Sequence, residues 1–499
     1  MITVFFTLLT IVFLGLMFAL TESVRISGAR TQAVNNVDMA DYSVFGEYEK
    51  KLLDDYELFG VDGAYGTGEF SESKLEERMK TYLDLNAVPS AEGLSSLCFD
   101  PWQLSVDECR VTEYALLSDD GGENFYQQAV SYVRTTALTG LVGQLYQYYS
   151  DANDLEKQQT EYEQDKKASD ENMETASSQE EVRRQELLEE EEETGISLVP
   201  DTVPENPLPR LAAVITRGLL RNVCGDQEIS GAAISGSDLQ SHRKKAKGTL
   251  ELEEKYGGLI DDLLFREYLL GVFPCYTEQK ESTQLKYQLE YIIAGKKSDK
   301  ANLKSVANRL LLLREGANYV WLLEHPEVGG AAETLAWLIL GWTGMPGLVE
   351  VLHHGLLLGW AYGESLMDVR TLLAGHKVPL VKDISTWSLS LDKLSSIGEL
   401  LDAGGSEGAS GLRYQDYLRI LLNLESVEKQ KSRGLDLVEL NMKQEDGLSD
   451  FQADHIVVAF KNETSWSIPS VFSKVTSVFA GIAGGPWSVT VKGSFAYDY

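Results

Sequence analysis

The sequence predicts an α+β protein, predominantly helical: an N-terminal transmembrane helix that extends into a long helix, a large helical body, and small antiparallel β elements that include the C-terminal region. Three observations carry that prediction. Ile2 to Leu20 is free of charge, apolar residues recur at spacings of three and four through most of 250–445, and β-branched and aromatic residues crowd His455–Phe460 and Trp487–Phe495.

The apolar run comes first. A helix over Ile2–Leu20 is about 28 Å long, close to the thickness of a bilayer's hydrocarbon layer. A soluble core helix seldom stays apolar on every face for that length. A cleavable signal peptide is the rival reading, but its apolar region is shorter, and Glu22 and Arg25 separate this run from the small residues Ser27, Gly28 and Ala29. Lipid contact is therefore expected through residues 2–20. Arg25 and Arg30, counted literally, place the body inside. Met1 abuts the run with no basic residues before it, and the expectation adopted is a body facing outward.

Beyond the span, Arg30, Ala33, Val37, Ala40, Val44 and Phe45 continue the helical spacing, and Gly60, Gly63, Gly66 and Gly68 are the expected stop. The organisation read along the chain is a 1–21 anchor, a 22–60 extended helix, a 61–150 mixed region, a 151–195 acidic insert, a 196–249 Pro/Gly-rich connection, a 250–445 helical body and a 446–499 β region. Residues 151–193 hold 17 acidic side chains against 5 basic ones, with too few apolar residues for a heptad seam, which predicts a solvated helix or a disordered insert. Pro200, Pro204, Pro207 and Pro209 break regular structure after it. In the body, Leu285, Tyr287, Leu289 and Tyr291 alternate with polar residues and predict a half-buried strand; Ala301–Leu323, Ala331–Gly341 and Gly347–Leu373 predict helices.

Composition narrows function. The chain has 499 residues, 43% hydrophobic, enough for one large or two ordinary cores, and its net charge of −33 argues against nucleic acid as a partner. No phosphate-cradling or dinucleotide-binding glycine motif is present, so neither nucleotide nor any other cofactor is expected. Gly404-Gly405-Ser406-Glu407-Gly408 spells a nucleophile elbow but sits in a small-residue loop between helices. Glu350 and His353 would share a helix face as one E-x-x-H pair where a di-iron site needs two, and none of the six histidines has a metal-ligand spacing. Asn462-Glu463-Thr464 is a glycosylation sequon. Cys98, Cys109, Cys224 and Cys275 include no CxxC pair; they allow two disulfides, Cys98 to Cys109 closing a loop around Asp100-Pro101-Trp102, or four buried thiols.

Several stretches together carry a resemblance: the N-terminal apolar run, Arg25-Ile-Ser-Gly-Ala-Arg30, Ser43-Val-Phe-Gly-Glu-Tyr48, Tyr56-Glu-Leu-Phe-Gly60, Leu285-Lys-Tyr-Gln-Leu-Glu-Tyr291, Asn308-Arg-Leu-Leu-Leu-Leu-Arg-Glu-Gly-Ala-Asn318, Trp360-Ala-Tyr-Gly-Glu364, Asp368-Val-Arg370, Lys377-Val-Pro-Leu380 and Tyr414-Gln-Asp-Tyr-Leu418. In these the chain resembles a family of uncharacterised membrane-anchored proteins found with Tad-type pilus assembly genes in Gram-positive anaerobes, related in layout to TadE/TadG-like pseudopilins. The resemblance implies a component of a pilus or secretion apparatus, on the cell membrane as a single-pass protein with an extracellular body, its partners the other subunits of that apparatus, and no assigned activity. Arg309, Arg314, Glu315, Glu364, Asp368 and Arg370 lie on otherwise apolar helices, where charges more often pair structurally than catalyse. The expected function is a structural or assembly role without catalysis; the alternatives are an anchored extracellular hydrolase of cell-wall polymer and a secreted soluble binding module.

Overall fold

The computed structural model describes residues 2–87, 100–136, 140–280, 283–403, 410–472 and 487–496. The chain divides into two compact units, each assembled from distant segments: unit 1 from Met1–Tyr132, Ser237–Gly257 and Leu435–Tyr499, unit 2 from Val133–Gly236 and Gly258–Gly434. The fold class is the one expected, predominantly helical with a long N-terminal helix and an antiparallel sheet that includes the C-terminal strands.

Unit 1 is built on a stem helix, Ile2–Phe45. Its first part is bare: the most apolar window is not buried at all, and it is long and apolar enough to cross a membrane. Its second part buries Glu22, Arg25, Ala29, Ala33, Asn36, Val37, Ala40, Asp41, Val44 and Phe45, the stripe that steps of three and four place on one helix face. Arg30, which the periodicity assigned to that face, is exposed. The stem also stops earlier than 60. The Gly46 N–H closes the last turn on Tyr42 O at 2.8 Å, the Glu49 N–H turns the chain onto Gly60 O at 2.9 Å, and a separate short helix spans Lys50–Tyr56.

The sheet has four strands, β1 (Val61–Asp62), β2 (Ser105–Leu116), β3 (Ile456–Ile468) and β4 (Trp487–Ala496), all antiparallel to β3. β2 runs along β3 from Ser105↔Ser467 to Leu116↔Val457; β1 pairs Val61↔Val457, and β4 continues from Ala459↔Ala496 to Ile468↔Trp487. The stem and a helix over Glu72–Ala87 share one core with the sheet, in which Phe45 stacks on Phe495 and Phe460 with ring centroids 4.1 and 5.3 Å apart. Because the partners of β3 come from both ends of the sequence, 61–150 and 446–499 are not separate regions.

Unit 2 is helical. Of the two alternatives for the acidic segment the helix is the one present: Leu141–Thr194 is one helix of 54 residues, mostly exposed but packed along one edge on the helices Asp299–Glu324 and Pro346–Leu373. Its buried positions are Leu145, Ala152, Leu155, Tyr162, Ser169, Ala176 and Leu187, mostly one every seven residues, so a seam one residue wide leaves the remaining faces to carboxylates. So narrow a seam suffices because the partner helix comes close. A Cβ on Gly316 would stand 2.8 Å from the Gln159 backbone nitrogen.

The predicted strand at Leu285–Tyr291 is also corrected, since Gln288–Ala294 is a helix. Alternation signals a strand when the polar residues face water, but Gln288 and Glu290 are fully buried with their neighbours. The preceding N–H groups of Lys286 and Tyr287 donate to the Asp299 carboxylate at 2.9 and 3.2 Å, which leaves them no ladder to join. Val378 makes an isolated antiparallel bridge to Leu412. The helices expected over 301–323, 331–341 and 347–373 are present as Asp299–Glu324, Pro326–Leu340 and Pro346–Leu373.

Candidate functional site

Five of the six charged residues singled out on apolar helices form ion pairs, and the sixth, Arg370, is held by a backbone carbonyl. In unit 2, Arg314 on Asp299–Glu324 donates from Nε to Asp368 Oδ2 at 3.0 Å and from Nη1 to Leu380 O at 2.7 Å. Lys382 places its ammonium on Glu364 and at 2.6 Å from Asp368 Oδ1, while the Ser388 and Leu389 N–H groups donate to the two Glu364 oxygens at 2.8 and 2.6 Å. Asn318 completes the network, donating to Ser365 Oγ at 2.9 Å and Asp368 Oδ2 at 3.0 Å. Burial alone would raise the Asp368 carboxyl, but Arg314 and Lys382 outweigh it and hold it low. Two cations and two carboxylates satisfy one another here, and the arrangement pins the irregular stretch from Leu380 to Leu389 onto two core helices. Its chemistry is that of a clasp.

The others are held elsewhere. Glu315 meets Lys166 of the acidic helix at 3.2 Å, Arg309 meets Glu425 at 3.2 Å, and Arg370 donates to Asn222 O at 3.0 Å. Next to the clasp a cleft of about 770 Å³ is lined by Trp321, Trp360 and Trp387, but Trp321 and Trp387 stack on each other at 4.6 Å and the indole N–H groups of Trp360 and Trp387 both donate to Leu389 O. Glu350 does not pair with His353 in a metal site. It lines a pocket of about 420 Å³ with His354, Asp165 and Tyr319, and among the described residues no group of three or more His, Cys, Asp or Glu side chains is placed to hold a metal ion.

Cys109, Cys224 and Cys275 are free, buried thiols, and Cys98 lies outside the described residues, as does the Gly404–Gly408 motif. Burial pushes Cys109 and Cys275 up to about 12 and raises Cys224, which removes the thiolate a nucleophile or metal ligand needs. The sequon is closed too. Asn462 is 2% exposed on β3 and donates from Nδ2 to Asp41 Oδ1 at 2.7 Å.

Among the buried carboxylates that sequence reasoning missed, two are raised to about 7. Asp41, on the buried face of the stem, is pushed by burial, and by Asp38, up to about 7. Glu290, fully buried, is likewise raised to about 7 by burial; it accepts from the Tyr276 N–H and the Tyr414 hydroxyl, both at 2.8 Å, and its Oε2 has no partner. The signal for Asp41 was present as an acidic residue on the stem's apolar stripe, between Ala40 and Val44.

The most distinctive geometry is where the stem leaves its bare part. Glu22 and Arg25 form an ion pair at 3.0 Å with both side chains 5% exposed. Arg25 also donates to Trp102 O at 3.1 Å and to Pro469 O, and Glu22 accepts from the N–H groups of Val471 and Phe472 at 3.3 Å each. Burial tends to raise Glu22, yet Arg25 and the two N–H donors more than offset it and leave its carboxyl below the usual range. One turn of helix thus ties the approach to β2 and the exit from β3 to the stem.

Residues 199–468, more than half of the chain, match the model of a family of unknown function, DUF5702. The chain belongs to that family. The DUF5702 match spans unit 2 from residue 199 onward and, in unit 1, the segment 237–257 and all of β3, and it leaves out the stem helix, β1, β2 and β4. No curated protein and no solved structure matches the chain.

Proposed function

We propose that this DUF5702 protein is a single-pass, membrane-anchored structural or assembly subunit of a Tad-like pilus or secretion apparatus, with its body on the outer side and no catalytic activity. The observation that supports it most is the division of one continuous helix, Ile2–Phe45, into a bare apolar part and a part that forms the spine of an antiparallel sheet. A helix that is apolar on every face and is left unburied by its own chain needs lipid or other apolar helices around it. The sequence resemblance to pseudopilin-like proteins supplies the apparatus and the outward orientation. The paired state of the buried charges in unit 2 favours scaffolding over chemistry.

Sidedness is the part to test first. The three described native thiols are buried, so the reporters are Asp446→Cys in unit 1 and Glu190→Cys in unit 2, both at exposed positions. A membrane-impermeant maleimide should label both variants in intact cells. Labelling only after lysis would put the body inside and end the outward-facing reading.

A further inference from the structure

The Glu22–Arg25 tie has a consequence for where unit 1 sits. Phe472, whose N–H is held by Glu22, stacks its ring on Phe18 with centroids 6.1 Å apart and planes 17° from parallel. Phe18 belongs to the apolar run, about 3 Å along the axis inside its last residue, Leu20, at the rise of an α-helix. The segment leaving β3 therefore reaches down to the depth of the span. At the same end of the sheet, Ile468 pairs with Trp487, which is 45% exposed and, among the described residues, is not part of the unit's hydrophobic core. The outer edge of the Trp102 indole abuts Gly28, where there is no room for a Cβ, so the stem and the approach to β2 are in contact here too.

We propose that unit 1 is not carried above the membrane on a free stalk: the end of its sheet bearing Phe472 and Trp487 is seated in the lipid bilayer, at the boundary between hydrocarbon and headgroups. The inference rests on Ile2–Leu20 being the membrane span. Given that span, the Phe18–Phe472 stack leaves no solvent layer between the sheet end and the lipid. Tryptophan is among the side chains that gain most from that boundary, where its aromatic body meets acyl chains and its indole N–H meets water, and the Phe472 ring suits the apolar side of it. The buried ion pair behind them fixes the depth, because sliding the sheet along the stem would strip Arg25 of the Trp102 and Pro469 carbonyls and Glu22 of the Val471 and Phe472 N–H groups, leaving a buried pair on the stem without those partners.

The test uses the full chain in phospholipid nanodiscs, on a Cys98→Ser background, with nitroxide labels placed singly at Phe472→Cys, Trp487→Cys, Phe13→Cys and Asp446→Cys. Phe13 lies mid-span, and Asp446 follows the Lys51–Glu445 pair, beyond the end of the stem farthest from the span. Labels at 472 and 487 should collide with a water-soluble nickel chelate several-fold less often than the label at 446, and with oxygen more often, approaching the label at 13. Chelate access at both 472 and 487 equal to that at 446, with 13 still shielded, would show the unit standing clear of the bilayer and overturn the proposal alone. Chelate access at 13 would remove the span itself, and the proposal with it. The two sheet-end labels are independent, so local damage to the Phe18 stack by one variant leaves the other to decide.

Discussion

The molecule contains two exceptionally long helices that solve opposite problems. The stem, Ile2–Phe45, is apolar on all faces where it touches nothing and becomes striped only where a sheet covers it. The acidic helix, Leu141–Thr194, is polar on nearly all faces and is nonetheless held along its length by a seam one residue wide. Average composition describes the faces a helix leaves open, whereas its fixed contacts depend on a few positions that composition hides. The stem's open part is long and apolar enough to cross a membrane and the acidic helix's open faces suit water, while both are located in the fold by a few residues at helical spacing.

The comparison breaks first at the seam. Tyr162 is 1% exposed, its ring meets Tyr319 edge-on at 5.6 Å, and Lys166 lies over it. Truncation by Tyr162→Ala should cost unit 2 ~3–5 kcal/mol, as for other large buried aromatics. Thermal unfolding, together with hydrogen exchange along 141–194, reads the loss; an unchanged melting profile would mean that the helix is not part of the core.

A second test asks whether the stem's buried stripe tolerates charge. Asp41 keeps its proton in the folded state up to about pH 7, whereas in the unfolded chain it loses it near its ordinary value of 3.8. Above that lower value the unfolded state is the one that gains by ionising. Stability should therefore be highest below about pH 4 as far as this group is concerned, fall as pH rises towards 7, and level off above it, by on the order of 4 kcal/mol in all. Asp41→Asn should flatten that fall in denaturant titrations run from pH 4 to 8, leaving the part due to Glu290, which is raised in the same way. If the variant and the parent lost stability in parallel, Asp41 would already be ionised in the fold at low pH.

The smallest effect belongs to the acidic helix's open face. Glu189, Glu190 and Glu192 are exposed, and replacing any one of them by Gln should change stability by no more than ~0.5 kcal/mol. A larger loss would show that the charge run does more than keep those faces in water.

Much of the fold was legible. The stem announced itself through charge-free length followed by steps of three and four, and the core helices of unit 2 through the same period. The strands at the C-terminus were legible from β-branched and aromatic content, but their partners were not, because β3 pairs with 61–62 and 105–116 across several hundred residues and no local pattern records that. The acidic seam escaped because one buried residue per two turns is too sparse to stand out, and because Gly316, which makes room for it, lies on another helix. Gln288–Ala294 misled for the opposite reason, since it is buried on every side and its polar residues find partners inside. Among the charges, Arg314, Glu364 and Asp368 were recognisable on their apolar helices, while Lys382 was not, as it sits in an irregular stretch with no period to contradict.

The central claim is that the bare part of the stem is what holds the protein to a membrane. It is tested most directly by expressing the chain without Ile2–Leu20 beside the full-length protein and separating membranes from soluble material after an alkaline carbonate wash. The account predicts that the full chain stays with the membranes through the wash and that the truncated chain is recovered soluble. A full-length chain released by carbonate, or a truncated chain that still resists it, would contradict the claim that Ile2–Leu20 is a spanning anchor.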